Sequence, residues 1–432
     1  MVRPMQTYTF PEKAAWKELL ARPAIDALAL EQTVKQILGD VKAKGDEAVK
    51  RYTKQFDGIA LDNAVVSEKE IREAEENLPP ELKQAIQQAA SNISLFHQKQ
   101  TAAVEIIETM PGVQCWRKSV GIEKVGLYIP GGTAPLFSTL LMLAIPAAIA
   151  GCKEIVLCTP PAKDGSIHPA ILFSAATVGV TRIFKAGGVQ AIAAMAYGTS
   201  TIPQVYKIFG PGNQYVTCAK QLVQRDGIAI DMPAGPSEVA VYADDSANPA
   251  FVAADLLSQA EHGPDSQVLL VVNKQDIAVK VEKEIERQLQ ALPRKTIAMK
   301  ALENSKAIVV KNEAEAIDLL NEYAAEHLIL SCSNADAMAE KVVNAGSVFI
   351  GHYSPESVGD YASGTNHTLP TNGYAKAYSG VSVDSFVKKI TYQKLTAQGL
   401  QNIGSTVELM AAAEGLDAHK NAVSIRLGSP GL

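Results

Sequence analysis

The sequence predicts an α/β protein with two doubly wound parallel sheets, each an incomplete Rossmann-like lobe, and helical extensions at both ends of the chain. Two observations support this fold class. Short runs rich in Val, Ile and Leu alternate with helical stretches in two successive series. The length of 432 residues also exceeds the roughly 100–200 residues typical of one domain, so more than one core is expected.

Residues 1–25 form an expected N-terminal extension, and apolar residues at helical spacing from residue 26 to about residue 101 predict charged amphipathic helices. Five β-like runs, separated by helical segments, follow in the middle of the chain. They lie at 125–129, 154–158, 182–186, 205–209 and 228–232. This alternation is typical of βαβ units in a parallel sheet.

A second alternating series begins at residue 238. Its expected strands lie at 238–242, 267–272, 306–310, 328–331 and 347–350. Residues 351–380 are rich in Gly, Ser, Tyr, Asn and Pro, which predicts a long irregular segment. We therefore expect a first lobe from residues 26–124 and 238–381, a second lobe from 125–237, and a helical tail from 382–432.

The composition argues against several classes of partner. A hydrophobic fraction of 47% with 20% charged residues is ordinary for a soluble enzyme. The net charge of -6 gives no electrostatic reason to bind nucleic acid or an anionic membrane. No stretch reads as a signal peptide or a spanning helix, and the five cysteines form no CxxC pair, so we expect a reduced, cytoplasmic protein with a small-molecule ligand.

Polar residues follow three of the strands in the second lobe. Tyr128 ends the first strand, Gln190 follows the turn after the third, and Asn213 follows the glycine-rich turn after the fourth. Ligands bind beyond the carboxyl ends of parallel strands, so these residues should face one cleft. None of the turns carries a GxGxxG motif, and on spacing alone we favour ordinary βα turns over a dinucleotide site.

The helical stretch 249–262 carries one polar stripe at intervals of three and four residues. It consists of Asp255, Ser258, Gln259 and His262. Such a stripe is usually a solvated face, yet Gln259 and His262 lie one turn apart and could offer an oxygen and a nitrogen to one zinc or manganese ion. Gln is an uncommon zinc ligand, which favours the simpler interpretation on local grounds.

Further polar residues lie at element ends and in loops. Glu326 and His327 stand at a helix-to-strand junction, where a carboxylate beside an imidazole suits proton transfer; a His favoured by the helix dipole is an equally good local interpretation. Asp360 and His367 lie in the irregular segment, and Glu414 and His419 in the tail. Those four residues are weak candidates by themselves.

Several longer stretches together resemble the histidinol dehydrogenase family. The longest match is IAIDMPAGPSEVAVYADDSANPAFVAADLLSQAEHGP at 228–264. The others are GLYIPGGTAPLFSTLLMLAIPA, KAGGVQAIAAMAYGT, KIFGPGNQYV, AAEHLIL, VGDYASGTNHTLPT and AAAEGLDAH. They occur in order and cover nearly the whole chain.

The resemblance implies two successive oxidations, from L-histidinol through the aldehyde to L-histidine, each passing a hydride to NAD. It implies acid/base roles for Glu326 and His327, and NAD contacts for Tyr128, Gln190 and Asn213 in the second lobe. It implies one zinc per subunit, held by Gln259, His262, Asp360 and His419. Substrate would contact Ser237, Gln259, His262, His327, Asp360, His367, Glu414 and His419.

The resemblance also implies a homodimer in which the tail completes the partner's site. The long segment before the tail gives it reach, and its apolar run VELMAAA needs a surface to cover it. Two other functions use the same residues. One is a zinc hydrolase in which Glu326 activates water, and the other is a two-lobed binding protein that closes on a small molecule.

Overall fold

The structure, a computed structural model, describes residues 5–22, 27–131 and 134–428, so the expected boundary between residues 25 and 26 lies outside the described residues. The chain begins with a strand, β1 (Gln6–Thr9), and a short helix, α1 (Trp16–Leu19). Four helices follow, as predicted for this region. They are α2 (Ala27–Lys44), α3 (Asp46–Phe56), α4 (Glu68–Asn77) and α5 (Pro80–Gln98). A hairpin of β2 (Ile106–Met110) and β3 (Val113–Gly121) comes next.

The middle of the chain forms a five-stranded parallel sheet, as predicted. Its elements are β4 (Lys124–Tyr128), α6 (Phe137–Ile149), β5 (Glu154–Thr159), α7 (Pro169–Thr177), β6 (Arg182–Lys185), α8 (Gly188–Tyr197), β7 (Lys207–Phe209), α9 (Gln214–Arg225) and β8 (Ala229–Ile230). The strand order is β6-β5-β4-β7-β8. Strands β5 and β6 are added on one side of β4, and β7 and β8 on its other side, as in a Rossmann-like sheet. Helices cover both faces, so the sheet is doubly wound.

The second series forms a six-stranded parallel sheet. Its elements after residue 237 are β9 (Glu238–Ala243), α10 (Pro249–Ala260), β10 (Gln267–Val272), α11 (Gln275–Leu289), α12 (Lys295–Glu303), β11 (Lys306–Val309), α13 (Glu313–Tyr323), β12 (His327–Ser331), α14 (Ala335–Ala339) and β13 (Ser347–Ile350). The order is β1-β11-β10-β9-β12-β13. The N-terminal segment, expected to be an extension, therefore supplies an edge strand of this sheet.

Two predictions about the last third of the chain were wrong in detail. The segment 351–380 contains a helix, α15 (Glu356–Tyr361), within what we expected to be irregular chain. The tail is not wholly helical, because a strand, β14 (Val387–Leu395), precedes α16 (Ala397–Ala413) and α17 (Asp417–Leu427). Strand β14 pairs antiparallel with β3 in a three-stranded sheet. Most of its side chains are exposed, so it lacks the alternation that reveals a half-buried strand.

The helices α2 to α5 pack on the lobe of the five-stranded sheet, the smaller of the two parallel sheets. The sequence instead predicts that residues 26–124 belong with the lobe of the larger, six-stranded sheet. Helix α2 lies against α8 and α9, α3 against α8, α4 against α7, and α5 against α6. Val34, Ile37 and Val41 of α2 share a core with Ala191 and Ile192 of α8. An amphipathic pattern identifies a buried face but not the surface that covers it. None of the helices in the described ranges has the length and apolar character needed to cross a bilayer.

A buried ion pair fixes the glycine-rich turn after β7. The Lys220 ammonium pairs with Asp231, and both side chains are almost fully buried. Lys220 Nζ also donates to the Gly210 carbonyl oxygen at 2.8 Å, while the Gly210 N–H donates to Asp231 Oδ2 at 2.8 Å. Gly210 has a φ of 130° and lies so close to the Tyr128 backbone that a Cβ would clash with it.

We expect Lys220→Met to destabilise the protein by about 3–5 kcal/mol, because it leaves the Asp231 carboxylate buried without its charged partner. The control is Lys153→Met, which removes an exposed pair with Glu123 and should cost less than about 1 kcal/mol. Denaturant unfolding of both variants measures the difference. Equal midpoints would show that the buried pair contributes no more than a surface pair.

Candidate active site

Glu326 and His327 lie where β12 begins, beside the first residues of β9. The two strands pair in parallel with His327 opposite Val239, so Glu326 and Glu238 are neighbours at the amino-terminal edge of the larger sheet. The Glu238 N–H donates to Glu326 Oε2 at 2.9 Å. All three polar side chains are buried. The interpretation of these residues as a dipole-favoured helix end does not describe this position, because α13 already ends at Tyr323.

The His327 ring is contacted on both nitrogens. Its Nδ1 lies 2.8 Å from Gln259 Nε2, 3.2 Å from the Glu238 carbonyl oxygen and 3.6 Å from Glu326 Oε2. Its Nε2 lies 3.3 Å from Asp360 Oδ1. His327 therefore links the stripe on α10 to the carboxylate on α15, which the sequence separates by about a hundred residues.

An imidazole just after the end of α10 and two carboxyl groups on α15 form a group that could hold a metal ion. One ligand atom from each of His262, Glu356 and Asp360 lies within 4.8 Å of the others. Beside them, the Gln259 Oε1 and Glu356 Oε2 atoms are buried without a hydrogen-bond partner. Buried polar atoms are normally satisfied, so unpaired oxygens next to an imidazole and a carboxylate fit a bound cation.

Glu356 is a site residue that the sequence reasoning missed. It lies four residues before Asp360, so both carboxylates share one face of α15. That spacing is a signal in the sequence, but the Gly, Ser, Tyr, Asn and Pro content of residues 351–380 predicts irregular chain and obscures it. Ser258 of the polar stripe donates to Glu356 Oε1 at 2.8 Å, which joins α10 to α15.

The electrostatic surroundings shift the pKa values of these groups. Burial raises the pKa of Glu326 to about 8 and that of Glu356 to about 8. Burial lowers the pKa of His327, but the carboxylates of Glu326 and Asp360 outweigh this and raise it to about 10. A cation bound at Asp360 would offset part of that carboxylate's charge and so lower the pKa of the imidazole.

His367 lies beside this group, and Ser237 directly precedes β9. The His367 Nδ1 is 2.8 Å from the Asp360 carbonyl oxygen, and its Nε2 is 2.9 Å from Thr139 Oγ1 on α6. Burial lowers the pKa of His367. The Ser237 carbonyl oxygen accepts from the Gln267 N–H at 3.2 Å. The segment carrying Asp360 is thus tied to helices of both lobes.

Glu414 and His419 are exposed on the tail, and His419 is not part of the group formed by His262, Glu356 and Asp360. Their helices, α16 and α17, pack mainly on each other and on β2 and β14. The single chain therefore does not bring these two residues to the other predicted catalytic, metal-binding and substrate-binding residues.

Tyr128, Gln190 and Asn213 line one cleft of about 800 Å³ at the carboxyl edge of the smaller sheet. The Tyr128 hydroxyl accepts from the Gly188 N–H at 3.0 Å, and Asn213 Oδ1 caps α9 by accepting from the N–H groups of Tyr215 and Val216. Both amide atoms of Gln190 are buried without a partner. The cleft therefore offers unfilled hydrogen-bonding groups close to two helix N-termini, which suits a dinucleotide.

The N-terminal helices supply further lining that the sequence reasoning did not predict. Thr33 and Ile37 of α2, Phe56 at the end of α3, and Asp57 all face the cleft. Burial raises the pKa of Asp57 to about 6, and its Oδ2 has no hydrogen-bond partner. These residues reach the cleft because α2 and α3 pack on this lobe rather than on the larger sheet.

Comparisons with known proteins identify the family of this chain. The sequence profile of the family described as histidinol dehydrogenase matches residues 20–427. A histidinol dehydrogenase of Bacteroides thetaiotaomicron is 62% identical over 98% of this chain and 99% of its own length. A chloroplastic histidinol dehydrogenase of Arabidopsis thaliana is 53% identical over 98% of this chain and 91% of its own. The crystal structure of histidinol dehydrogenase from Elizabethkingia anophelis superposes with a TM-score of 0.97 at 56% identity, covering 99% of both chains.

Proposed function

This chain belongs to the histidinol dehydrogenase family, and from that premise we propose how its site oxidises L-histidinol, the last step of histidine biosynthesis. The reaction proceeds from the alcohol through the aldehyde to L-histidine and uses two NAD. The observation that supports this most directly is the buried, unpaired Gln259 Oε1 beside His262 and Asp360, next to the acid/base pair Glu326 and His327. Family membership favours an oxidation over the hydrolase and the binding protein that we considered.

Gln259, His262 and Asp360 would hold one zinc ion, with His419 of the partner subunit as the fourth protein ligand. Zinc, when bound, supplies a fixed point that orients the imidazole and amine of the substrate. Ser237 and His367 lie at the same edge and would contact the substrate. Glu414 of the partner subunit would contact it from the tail.

His327, made neutral when a cation at Asp360 offsets the negative charge that raises its pKa, would accept the hydroxyl proton of the alcohol in the first oxidation. Its Nδ1 lies 3.2 Å from the Glu238 carbonyl oxygen, which accepts from Nδ1–H in the tautomer that leaves Nε2, on the Asp360 side, able to accept a proton. In the second oxidation water must add to the aldehyde, and Glu326 accepts a proton from that water. A carboxyl group whose pKa burial raises to about 8 is a stronger base than an ordinary glutamate, which suits this step near neutral pH.

Tyr128, Gln190 and Asn213 would bind NAD in the cleft of the smaller sheet. When bound there, NAD supplies the acceptor for hydride in each oxidation. The unfilled amide of Gln190, at the start of α8, would provide hydrogen bonds to it.

The tail supports a homodimer in which it reaches the partner's site. Leu409 and Met410 of α16 are 73% and 60% exposed, and Ile106 and Ile107 of β2 are 56% and 55% exposed. Large apolar side chains grouped on one part of a chain indicate a surface that another chain covers. Covering them with a second copy would also carry Glu414 and His419 toward a site from which the single chain leaves them apart.

The direct test of the proposed function counts NADH formed from a limiting amount of L-histidinol. We expect two NADH per substrate, loss of turnover on chelation, and recovery on addition of zinc or manganese, because without the cation the substrate is not oriented. Full activity of the metal-free protein would contradict the proposal that the cation orients the substrate. Absence of NADH at any substrate concentration would contradict the oxidation itself.

The two acid/base residues should affect different half-reactions. We expect Glu326→Gln to slow aldehyde oxidation far more than alcohol oxidation. We expect His327→Asn to impair alcohol oxidation at least as strongly as it impairs aldehyde oxidation. Assays that start separately from histidinol and from the aldehyde measure each step. Glu322→Gln, which changes an exposed carboxyl group on α13, is the control and should leave both steps unchanged. Equal losses in both steps for both site variants would contradict this division of roles.

Exchange of tails predicts complementation between two inactive variants, His262→Asn and His419→Asn. In a mixed dimer one site carries both defects and the other carries neither. Random pairing after co-refolding should therefore restore about a quarter of the wild-type activity.

The control mixes His262→Asn with Asp360→Asn, whose ligands come from the same subunit, and should show no recovery. Size-exclusion chromatography of differently tagged chains establishes that mixed dimers form. Mixed dimers of the first pair without activity would show that the tail serves its own subunit.

A further inference from the structure

We propose that Arg22 is a positioning residue for the acid/base pair, acting through Glu238, whose backbone hydrogen-bonds both Glu326 and His327. Arg22 lies on the N-terminal segment between α1 and α2, far in sequence from Glu238, Glu326 and His327. The inference rests on the roles proposed above for Glu326 and His327.

The Arg22 guanidinium donates two parallel hydrogen bonds to the Glu238 carboxylate. Its Nε donates to Oε1 at 2.9 Å and its Nη2 to Oε2 at 2.9 Å. The Nη2 atom also donates to the Tyr323 carbonyl oxygen at 2.7 Å, and the guanidinium lies 4.1 Å from the centre of the Tyr323 ring. A planar guanidinium held by a carboxylate, a carbonyl and an aromatic ring has one orientation.

The main chain of Glu238 contacts both Glu326 and His327, so fixing the position of Glu238 also fixes theirs. Its N–H donates to Glu326 Oε2 at 2.9 Å, and its carbonyl oxygen is 3.2 Å from His327 Nδ1 and 3.5 Å from Gln259 Nε2. The carboxylate itself makes one further contact, accepting from the Asn372 N–H at 2.8 Å. The Glu238 side chain thus faces away from the chemistry, while its backbone touches both residues that perform it.

Charge explains why this arrangement needs an arginine. Glu238 and Glu326 are buried neighbours on adjacent strands, and two carboxylates there repel each other unless one is paired. Without Arg22 the Glu238 carboxylate would be buried with only one backbone N–H as partner. Relief of that cost requires the start of β9 to move, and a shift near 1 Å at a catalytic group is enough to cost about a hundredfold in rate.

The main alternative is that Arg22 only anchors the N-terminal segment to the larger sheet. A second cation–carbonyl contact provides a matched comparison, because Lys306 Nζ on β11 donates to the Leu19 carbonyl oxygen of the same segment without touching Glu238. If anchoring is the whole function of Arg22, removing either contact should have a similar effect on turnover.

The experiment compares Arg22→Met, Arg22→Lys and Lys306→Met in the zinc-loaded enzyme, with circular dichroism and gel filtration to verify folding. We expect Arg22→Met to lower kcat for aldehyde oxidation about tenfold to a hundredfold, with KM for histidinol and bound zinc nearly unchanged. Arg22→Lys should lose less, since an ammonium keeps the charge but not the paired geometry. Lys306→Met should keep the wild-type kcat. If Arg22→Met does not fold, Glu238→Gln removes the same ion pair with little change of shape.

The decisive measurement is the double variant Arg22→Met with Glu326→Gln. If Arg22 acts through Glu326, the double variant should be no slower in aldehyde oxidation than Glu326→Gln alone. The positioning role would be overturned if the rate loss of the double variant equals the product of the two single-variant losses. It would also be overturned if Arg22→Met lowers the zinc content. If Glu326→Gln alone oxidises the aldehyde at the wild-type rate, the role proposed for Glu326 is refuted, and so is the inference about Arg22 that rests on it.

Discussion

Two buried carboxyl groups at the starts of adjacent parallel strands impose the constraint on which the site depends. Because β9 and β12 pair in register, Glu238 and Glu326 are neighbours away from water. Each needs a partner, since an unpaired buried carboxylate is costly. Arg22 and Asn372 pair with Glu238, while Glu326 accepts the Glu238 N–H and faces the His327 imidazole. The same requirement thus places Glu326 beside His327 and fixes the orientation of both side chains.

The two proposed binding regions use opposite edges of their sheets. The cleft with Tyr128 and Asn213 lies at the carboxyl edge of the smaller sheet, where the general rule for parallel sheets places a ligand. Glu326 and His327 lie at the amino edge of the larger sheet, where no such rule applies. The segment with Asp360 and His367 connects the regions, because His367 contacts Thr139 on α6 and Asn366 donates to the Met142 carbonyl oxygen.

Carboxyl groups are concentrated in the part of the site that could hold a metal ion. Glu326, Glu356 and Asp360 are close together, and burial or mutual repulsion raises the pKa of the two glutamates. These carboxylates also raise the pKa of His327, which favours the charged form of the imidazole, whereas a raised pKa favours the neutral form of a carboxyl group. Such a cluster is more stable around a cation, which gives a physical reason for the unpaired oxygens of Gln259 and Glu356. The proposed zinc therefore serves the fold of the site as well as its chemistry.

The sequence by itself determined both parallel sheets, because buried strands and their helices differ in period and composition from everything around them. It also identified Tyr128, Gln190 and Asn213 as lining one cleft, since a strand's end position follows from its register. Their family roles came from the resemblance of whole motifs, not from spacing. Only the tertiary structure decided that α2 to α5 pack on the smaller sheet's lobe, that Glu356 joins the cation group, and that Arg22 meets Glu238. These are contacts between residues distant in the chain, and local pattern records which face of an element is buried but not which partner buries it.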